Sequence, residues 1–129
     1  WILDAGVAAN CHLLGHRSDI RFINSALDIA CSASLSESFP NSIAEAMACG
    51  VPCVVTDVGD SAYLVGDSGM VSSSDRPEQF ANAVIHLLNL PREDLRKLGL
   101  AARERIVGEF SLAMAVSEYS QLYANLLDV

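Results

Sequence analysis

The sequence predicts an α/β fold: a partial parallel sheet of about four strands flanked by helices, with a helical carboxyl-terminal tail. Short apolar runs of strand length alternate with segments of helical periodicity as far as residue 72. From residue 77 onward the apolar residues have helical spacing only. The chain has 129 residues, 51% of them hydrophobic, which is enough for one domain with a buried core.

The first 26 residues are expected to contain the end of a helix, a strand and a second helix. Residues 1–5 read as the tail of a helix that Gly6 ends, with no initiator methionine or strand before it. This predicts that the chain begins partway through a larger α/β unit. Residues 11–14 are a candidate first strand, and residues 20–26 a candidate helix.

The central segment predicts a strand, a loop, a helix and a second strand. Residues 27–33 and 53–56 are the strand-length apolar runs. Between them, Ser42 followed by Glu45 has the form of a capping box that starts a helix. In a parallel sheet, this order places Glu37 in the loop at the carboxyl end of a strand and Ser42 at a helix amino terminus, where open N–H groups favour anions.

The remainder of the chain predicts one short strand, at residues 69–72, and three long helices. The helices are expected over residues 77–89, 91–109 and 111–127, the last of them capped by Ser111. Apolar side chains at helical spacing are the expected packing positions. They are Phe80, Val84, Leu87 and Leu88, then Leu95, Leu98, Ala102 and Ile106, then Met114, Val116, Tyr119, Leu122, Tyr123 and Leu126.

Charge and hydropathy exclude two classes of partner. The net charge is −8 and Lys97 is the single lysine, so no nucleic-acid partner is expected. No apolar run approaches the roughly 18 to 20 residues of a membrane span. The sequence also has no basic amphipathic segment that would hold it on a membrane surface.

Cysteine usage predicts a cytoplasmic protein with reduced thiols. A disulfide framework is not expected, and the thiols are expected to be buried, because they lie in or beside predicted strands and a helix end: Cys11, Cys31, Cys49 and Cys53. Cys11, His12 and His16 do not make a convincing metal site. Adjacent strand residues point to opposite faces of a sheet, and a fourth ligand is missing.

Residues 37–52, E-S-F-P-N-S-I-A-E-A-M-A-C-G-V-P, hold two glutamates separated by seven residues. This segment resembles the E-x7-E signature of family 4 (group 1) glycosyltransferases, which are retaining enzymes with the GT-B architecture of two facing Rossmann-like domains. The resemblance extends over essentially the whole chain, through C-H-L-L-G-H-R-S-D, L-D-I-A-C-S-A-S and P-C-V-V-T-D-V-G-D. It implies that residues 1–129 are the later part of the carboxyl-terminal, nucleotide-sugar-binding domain, with a partial Rossmann-like sheet.

The resemblance assigns a role to each glutamate. Glu37 would contact hydroxyls of the donor sugar and is the candidate catalytic residue, while Glu45 would hold the ribose hydroxyls of the nucleotide. A carboxylate suits both roles because it accepts two hydrogen bonds from a vicinal diol. The base would lie near Leu14, Gly15 and His16.

The resemblance also implies how the sugar and the diphosphate are held. Backbone N–H groups of Phe39, Asn41, Ser42 and Ile43 would face them at the helix amino terminus. The full set of candidate contacts is Glu37, Ser38, Phe39, Pro40, Asn41, Ser42 and Ile43. The donor would be a UDP-, GDP- or ADP-linked sugar, and the acceptor a glycan, glycolipid or polysaccharide held by an amino-terminal domain that the chain lacks. Neither a metal ion nor a cofactor is implied.

One departure from the family pattern predicts that the chain alone is inactive. The family neutralises the leaving diphosphate with an arginine and a lysine, but no basic residue lies between Arg21 and Arg76. A departing diphosphate needs cationic or strong hydrogen-bonding stabilisation, and Arg17 is a poor substitute.

Other interpretations stay open at this stage. Glu45 fits a helix cap, and Glu37 fits a solvated loop charge. The whole chain also fits a stand-alone flavodoxin-like binding or signalling module, although its single lysine lies in the tail. A sugar-nucleotide epimerase of the same architecture is a third interpretation, but no acid/base pair with convincing spacing is present.

Overall fold

The structure, a computed structural model, describes residues 2–127. Its sheet has three parallel strands in the order β1 (Ala30–Ser32), β2 (Cys53–Thr56) and β3 (Met70–Ser72). In the register, Ala30 is opposite Cys53, and Val54 is opposite Met70. Each connection between neighbouring strands contains a helix, as parallel pairing requires.

Helices cover both faces of this sheet. In chain order they are α1 (Ile20–Asn24), α2 (Asn41–Ala48), α3 (Ser61–Val65), α4 (Pro77–Leu88), α5 (Arg92–Glu109) and α6 (Leu112–Leu126). Two short 3-10 turns occur at Ala8–Asn10 and Gly66–Ser68. Ser111 caps α6 as predicted, since its Oγ accepts a hydrogen bond from the Met114 N–H at 3.3 Å.

The middle strand, β2, is buried along its whole length. On one face, Val55 belongs to a cluster that includes Ile43, Met47, Leu64 and Ala102, from α2, α3 and α5. On the other face, Val54 packs with two residues of α4, Ala83 and Leu87. Alternate residues of a strand point to opposite faces, so β2 joins two cores.

Helix α5 approaches the end of α2 very closely. A Cβ placed on Gly99 of α5 would lie 2.1 Å from the Gly50 carbonyl oxygen. Arg103, one turn further along α5, donates a hydrogen bond from Nη1 to the Ala48 carbonyl oxygen. The two contacts fix α5 against the carboxyl end of α2.

The first predicted strand does not form. Residues 11–14 have no regular secondary structure, and all four are exposed. A strand is stable only when a neighbour satisfies its backbone groups, and within residues 2–127 the sheet contains only β1, β2 and β3.

The expected helix end before Gly6 is present in part. The Val7 N–H donates to the Ile2 carbonyl oxygen at 3.2 Å and the Gly6 N–H to Leu3 at 3.0 Å, with Gly6 at φ 68°. These are the two bonds of a Schellman ending. The prediction for Trp1 lies outside the described residues.

Two predictions about burial are wrong in part. Cys11 and Cys31 are exposed, whereas Cys53 is buried and Cys49 is half-buried. Leu88 is exposed, and so are all the expected packing positions of α6: Met114, Val116, Tyr119, Leu122, Tyr123 and Leu126. Helical spacing correctly predicts an apolar stripe, but these side chains have no core to enter in this part of the chain. Among residues 2–127, no helix is both long and apolar enough to cross a membrane.

Candidate functional site

A hydroxyl network holds Glu37 in the loop between β1 and α2. Ser34 Oγ donates to Glu37 Oε1 at 2.8 Å, and Ser32 Oγ lies 3.2 Å from Ser34 Oγ. Thr56 Oγ1, at the end of β2, donates to the Ser34 carbonyl oxygen at 2.6 Å. Because β1 and β2 are parallel, their carboxyl ends meet at one edge of the sheet, and the two loops can bond to each other there.

The loop after β2 packs directly on the Glu37 loop. The Asp60 N–H donates to the Ser38 carbonyl oxygen at 2.9 Å. A Cβ on Gly59 would lie 2.1 Å from the Glu37 carbonyl oxygen, and Gly59 has φ 53°. Both the close approach and the left-handed backbone require glycine at this position.

Helix α2 begins at Asn41, one residue before the predicted start, and the predicted capping box does not form. Pro40 precedes the helix, and no side chain caps it. The Asn41 and Ile43 N–H groups donate locally, to the Phe39 and Pro40 carbonyl oxygens at 2.9 and 3.0 Å. Among the N–H groups expected to face a diphosphate, those of Phe39 and Ser42 donate to no backbone carbonyl within residues 2–127. Pro40 and Ile43 are buried, and Ser38, Asn41 and Ser42 are exposed.

Glu45 is exposed on α2 and borders a cleft of about 400 Å³. The cleft lies between α1, α2 and α5, and Arg21 and Arg103 also line it. Within residues 2–127 the Glu45 carboxylate has no ion pair or hydrogen bond, so it does not act as a helix cap. Its oxygens are therefore available to a ligand.

The loop expected near the base is not joined to this cleft. Leu14, Gly15 and His16 are exposed, and none of them lines the cleft beside Glu45. Gly15 has φ 64°, and a Cβ there would meet nothing within 4 Å. The structure thus brings the Glu37 loop together with the loop after β2, and residues 14–16 do not line the cleft beside Glu45.

An aromatic cluster that the sequence analysis did not identify supports the same loop. The Phe39 and Phe110 ring centroids are 5.8 Å apart, and Tyr63 packs on Phe110 at 5.6 Å. Arg105 holds the cluster, donating to the Leu64 and Tyr63 carbonyl oxygens at 2.9 and 2.6 Å. These residues are far apart in the chain, so no local pattern links them.

Arg17, the arginine weighed in the sequence analysis as a substitute for the missing cations, is already engaged by a carboxylate. Arg17 forms two hydrogen bonds with Asp19, at 2.8 and 2.6 Å. The Arg17 guanidinium lowers the pKa of Asp19, and Asp19 raises the pKa of Arg17. Within residues 2–127, no group of three His, Cys, Asp or Glu side chains is placed to hold a metal ion.

Taken chemically, the site offers one oriented carboxylate, one unpaired carboxylate and unbonded N–H groups at the start of a helix. Carboxylates accept hydrogen bonds from hydroxyl groups, and a helix amino terminus attracts negative charge. An α/β domain with these groups at the carboxyl edge of its sheet is of the class that binds polar, anionic ligands there.

The comparisons with known proteins identify the family. The family model described as glycosyl transferases group 1 matches residues 2–90. The chain therefore belongs to that family.

Two curated relatives extend the match over most of the chain. The N-acetyl-alpha-D-glucosaminyl L-malate synthase of Bacillus anthracis is 33% identical over 116 residues, 88% of this chain and 30% of the relative. The UDP-Gal:alpha-D-GlcNAc-diphosphoundecaprenol alpha-1,3-galactosyltransferase of Escherichia coli is 29% identical over 117 residues, 89% of this chain and 30% of that protein. The chain thus spans less than a third of the length of either relative.

A solved structure agrees on the fold. Sucrose-phosphate synthase from Thermosynechococcus elongatus superimposes with a TM-score of 0.88, at 24% sequence identity, over 98% of this chain and 33% of its own. The Rossmann-like fold of the GT-B glycosyltransferases, predicted from the sequence, is confirmed.

Proposed function

We propose that this chain is the donor-binding part of a retaining glycosyltransferase that moves a hexose-type sugar from a nucleotide diphosphate to a glycan, glycolipid or polysaccharide acceptor. The observation that carries the proposal is the difference between the two glutamates. Glu37 is held by Ser34 at 2.8 Å, while Glu45 is exposed and its carboxylate has no partner among residues 2–127. The spacing of the two glutamates in a chain of the glycosyl transferases group 1 family is what separates Glu45 from an ordinary solvated glutamate on a helix.

In this proposal each part of the site meets one part of the donor. Glu37 accepts hydrogen bonds from sugar hydroxyls and is the catalytic residue, and Glu45 accepts them from the ribose. The diphosphate lies at the amino end of α2, near the N–H groups of Phe39 and Ser42. Ser38 and Asn41 are exposed beside it, while Pro40 and Ile43 are buried and shape the loop from below.

The base contact is the least defined part of this assignment. Leu14, Gly15 and His16 would contact the base; they are exposed and do not line the cleft beside Glu45. The cleft beside Glu45 is also lined by Arg21 and Arg103, and Arg103 already donates a hydrogen bond to the Ala48 carbonyl oxygen.

Three further expectations belong to the same proposal. The chain forms the carboxyl-terminal donor domain of a longer protein, whose amino-terminal domain binds the acceptor. The reaction uses no metal ion and no cofactor. The protein acts in the cytoplasm, where its thiols stay reduced. The family match does not favour a flavodoxin-like signalling module, and no observation supports an epimerase.

The first test is binding of UDP, GDP and ADP to the full-length protein, measured by calorimetry for the wild type and for Glu45→Ala. We expect one nucleotide to bind, and the substitution to cost about 1.5 to 3 kcal/mol of binding free energy, the usual range for hydrogen bonds to a charged group.

A matched control separates ligand contact from lost charge. Glu104 is also exposed in the middle of a helix, and Glu104→Ala should leave nucleotide affinity unchanged. If no nucleotide binds, or if the Glu45 variant loses thermal stability but no affinity, the assignment of Glu45 is wrong.

A further inference from the structure

The Ser34 side chain and backbone are both engaged at the candidate site. Its carbonyl oxygen accepts from Thr56 Oγ1 at 2.6 Å, and its Oγ donates to Glu37 Oε1 at 2.8 Å. Thr56 is 4% exposed and lies at the end of the fully buried strand β2. Ser34 thus links the fully buried strand β2 to the carboxylate of Glu37.

The direction of the hydroxyl chain follows from the donors available. A hydroxyl has one hydrogen, and a carboxylate accepts hydrogen bonds without donating any. Ser34 therefore gives its hydrogen to Glu37, and the 3.2 Å contact between Ser32 and Ser34 is donated by Ser32. The chain of donors runs from Ser32 through Ser34 to Glu37 Oε1.

We propose that Ser34 is a positioning residue that orients the Glu37 carboxylate for the hydroxyls of the donor sugar. This inference rests on the proposed function. Within residues 2–127, Glu37 Oε2 has no hydrogen-bond donor, so one oxygen is fixed and the other stays open to a ligand. Fixing a flexible side chain before the ligand arrives lowers the entropy lost on binding.

The two glutamates thus differ in how far the fold orients their carboxylates before a ligand binds. Glu37 is half-buried and oriented by Ser34, whereas Glu45 is exposed and without a partner in the described part of the chain. Ser34 should therefore affect recognition of the sugar and leave recognition of the nucleotide unchanged.

The test uses the full-length protein and compares Ser34→Ala with Ser34→Thr, which keeps the hydroxyl. Affinity is measured for UDP-glucose, GDP-mannose and ADP-glucose and for the corresponding nucleotide diphosphates. For the nucleotide sugar that binds, we expect Ser34→Ala to weaken affinity about tenfold, with little change for its nucleotide diphosphate. Ser34→Thr should recover most of the loss, and thermal unfolding reports whether each variant is folded.

A double-mutant cycle separates positioning of Glu37 from a general effect on the loop. If Ser34 acts through Glu37, Ser34→Ala should have no further effect in a protein that already carries Glu37→Ala. Two additive losses would overturn the inference, as would an equal loss of affinity for the nucleotide diphosphate, or no loss at all from Ser34→Ala.

Failure of the proposed function gives a different result. If none of the three nucleotide sugars binds, or if Glu37→Ala binds one as tightly as the wild type does, Glu37 is not a sugar contact. Both the proposed function of this residue and the inference about Ser34 then fall. If Glu37→Ala weakens binding but Ser34→Ala does not, only the inference falls.

Discussion

Burial of Cys53 in the middle strand raises the pKa of its thiol to about 12, and the charge of nearby Cys31 adds to the shift. Because only the thiolate reacts with alkylating reagents, Cys53 should be nearly inert in the folded protein. Cys11 is exposed and should react freely. Mass spectrometry after iodoacetamide treatment at pH 8 should show modification of Cys11 long before Cys53, and unfolding in urea should remove the difference.

The same shift makes folding dependent on pH in the alkaline range. In the unfolded chain Cys53 loses its proton near its ordinary pKa of 9.0, whereas the folded chain keeps it until about pH 12. The unfolded state therefore binds fewer protons in this interval, and the contribution of Cys53 to stability falls as the pH rises through it. Rapid alkylation of Cys53 in the native protein would contradict this description of the strand.

At the residue scale, the roles that the spacing of Glu37 and Glu45 assigns to these glutamates stay predictions, whereas the local bonds expected around them can be compared with the structure. The Ser42–Glu45 capping box was wrong, because the helix begins at Asn41 and that shift removes Ser42 from the cap position. The hydroxyl of Ser34 was not singled out, since a serine in a serine-rich loop carries no local signal of its partner.

At the scale of the elements, two glycine-to-alanine substitutions in α5 should change stability in opposite directions, because only Gly99 lies at the contact with the end of α2. Glycine in a helix costs roughly 1 kcal/mol relative to alanine, so Gly108→Ala, where a Cβ would meet nothing within 4 Å, should stabilise the chain by up to about that amount. Gly99→Ala should instead destabilise it by about 1 to 3 kcal/mol, because the new Cβ meets the Gly50 carbonyl oxygen.

Urea denaturation of the two variants beside the wild type measures both effects. Both sites lie in α5, Gly99 in its interior and Gly108 in its last turn, where the gain in helix propensity is smaller. Stabilisation by Gly99→Ala would show that α5 does not approach Gly50 as closely as the structure has it.

The strands and helices were predictable from the sequence where the element that each one packs against lies in this chain. The predicted strands over residues 53–56 and 69–72 correspond to β2 and β3, and the long helices were found within two residues of their bounds. Residues 11–14 have strand-like composition but no neighbouring strand among residues 2–127, so composition alone could not make them a strand. The apolar side chains of α6 are exposed for a similar reason, because no core among residues 2–127 covers them.

For the whole molecule, we expect the purified 129-residue chain to turn over no nucleotide sugar. No basic residue lies between Arg21 and Arg76, and Arg17 is paired with Asp19. Without cationic stabilisation the diphosphate leaves too slowly for measurable transfer. Release of UDP, GDP or ADP from the matching nucleotide sugar is the measurement, with the full-length protein as the positive control. Turnover by the chain alone would show that residues described here suffice.

The fold class and family followed from the whole sequence more securely than any single contact did. A parallel sheet, its flanking helices and the two glutamates occur in a fixed order that few families share. The cluster of Phe39, Tyr63 and Phe110 depends on three separate segments meeting in space, and nothing in the sequence predicted it.

The close approach of Gly59 to the Glu37 carbonyl oxygen has a consequence for building hybrid enzymes. Exchanging the loop of residues 33–40 with that of a relative would change the backbone on which residues 57–60 rest, and the hydrogen bond from Asp60 to Ser38 would be lost or strained. Residues 33–40 and 57–60 should therefore be replaced together when a hybrid enzyme is built. A chimera that takes both loops from the same relative should fold, while one that mixes them should express poorly.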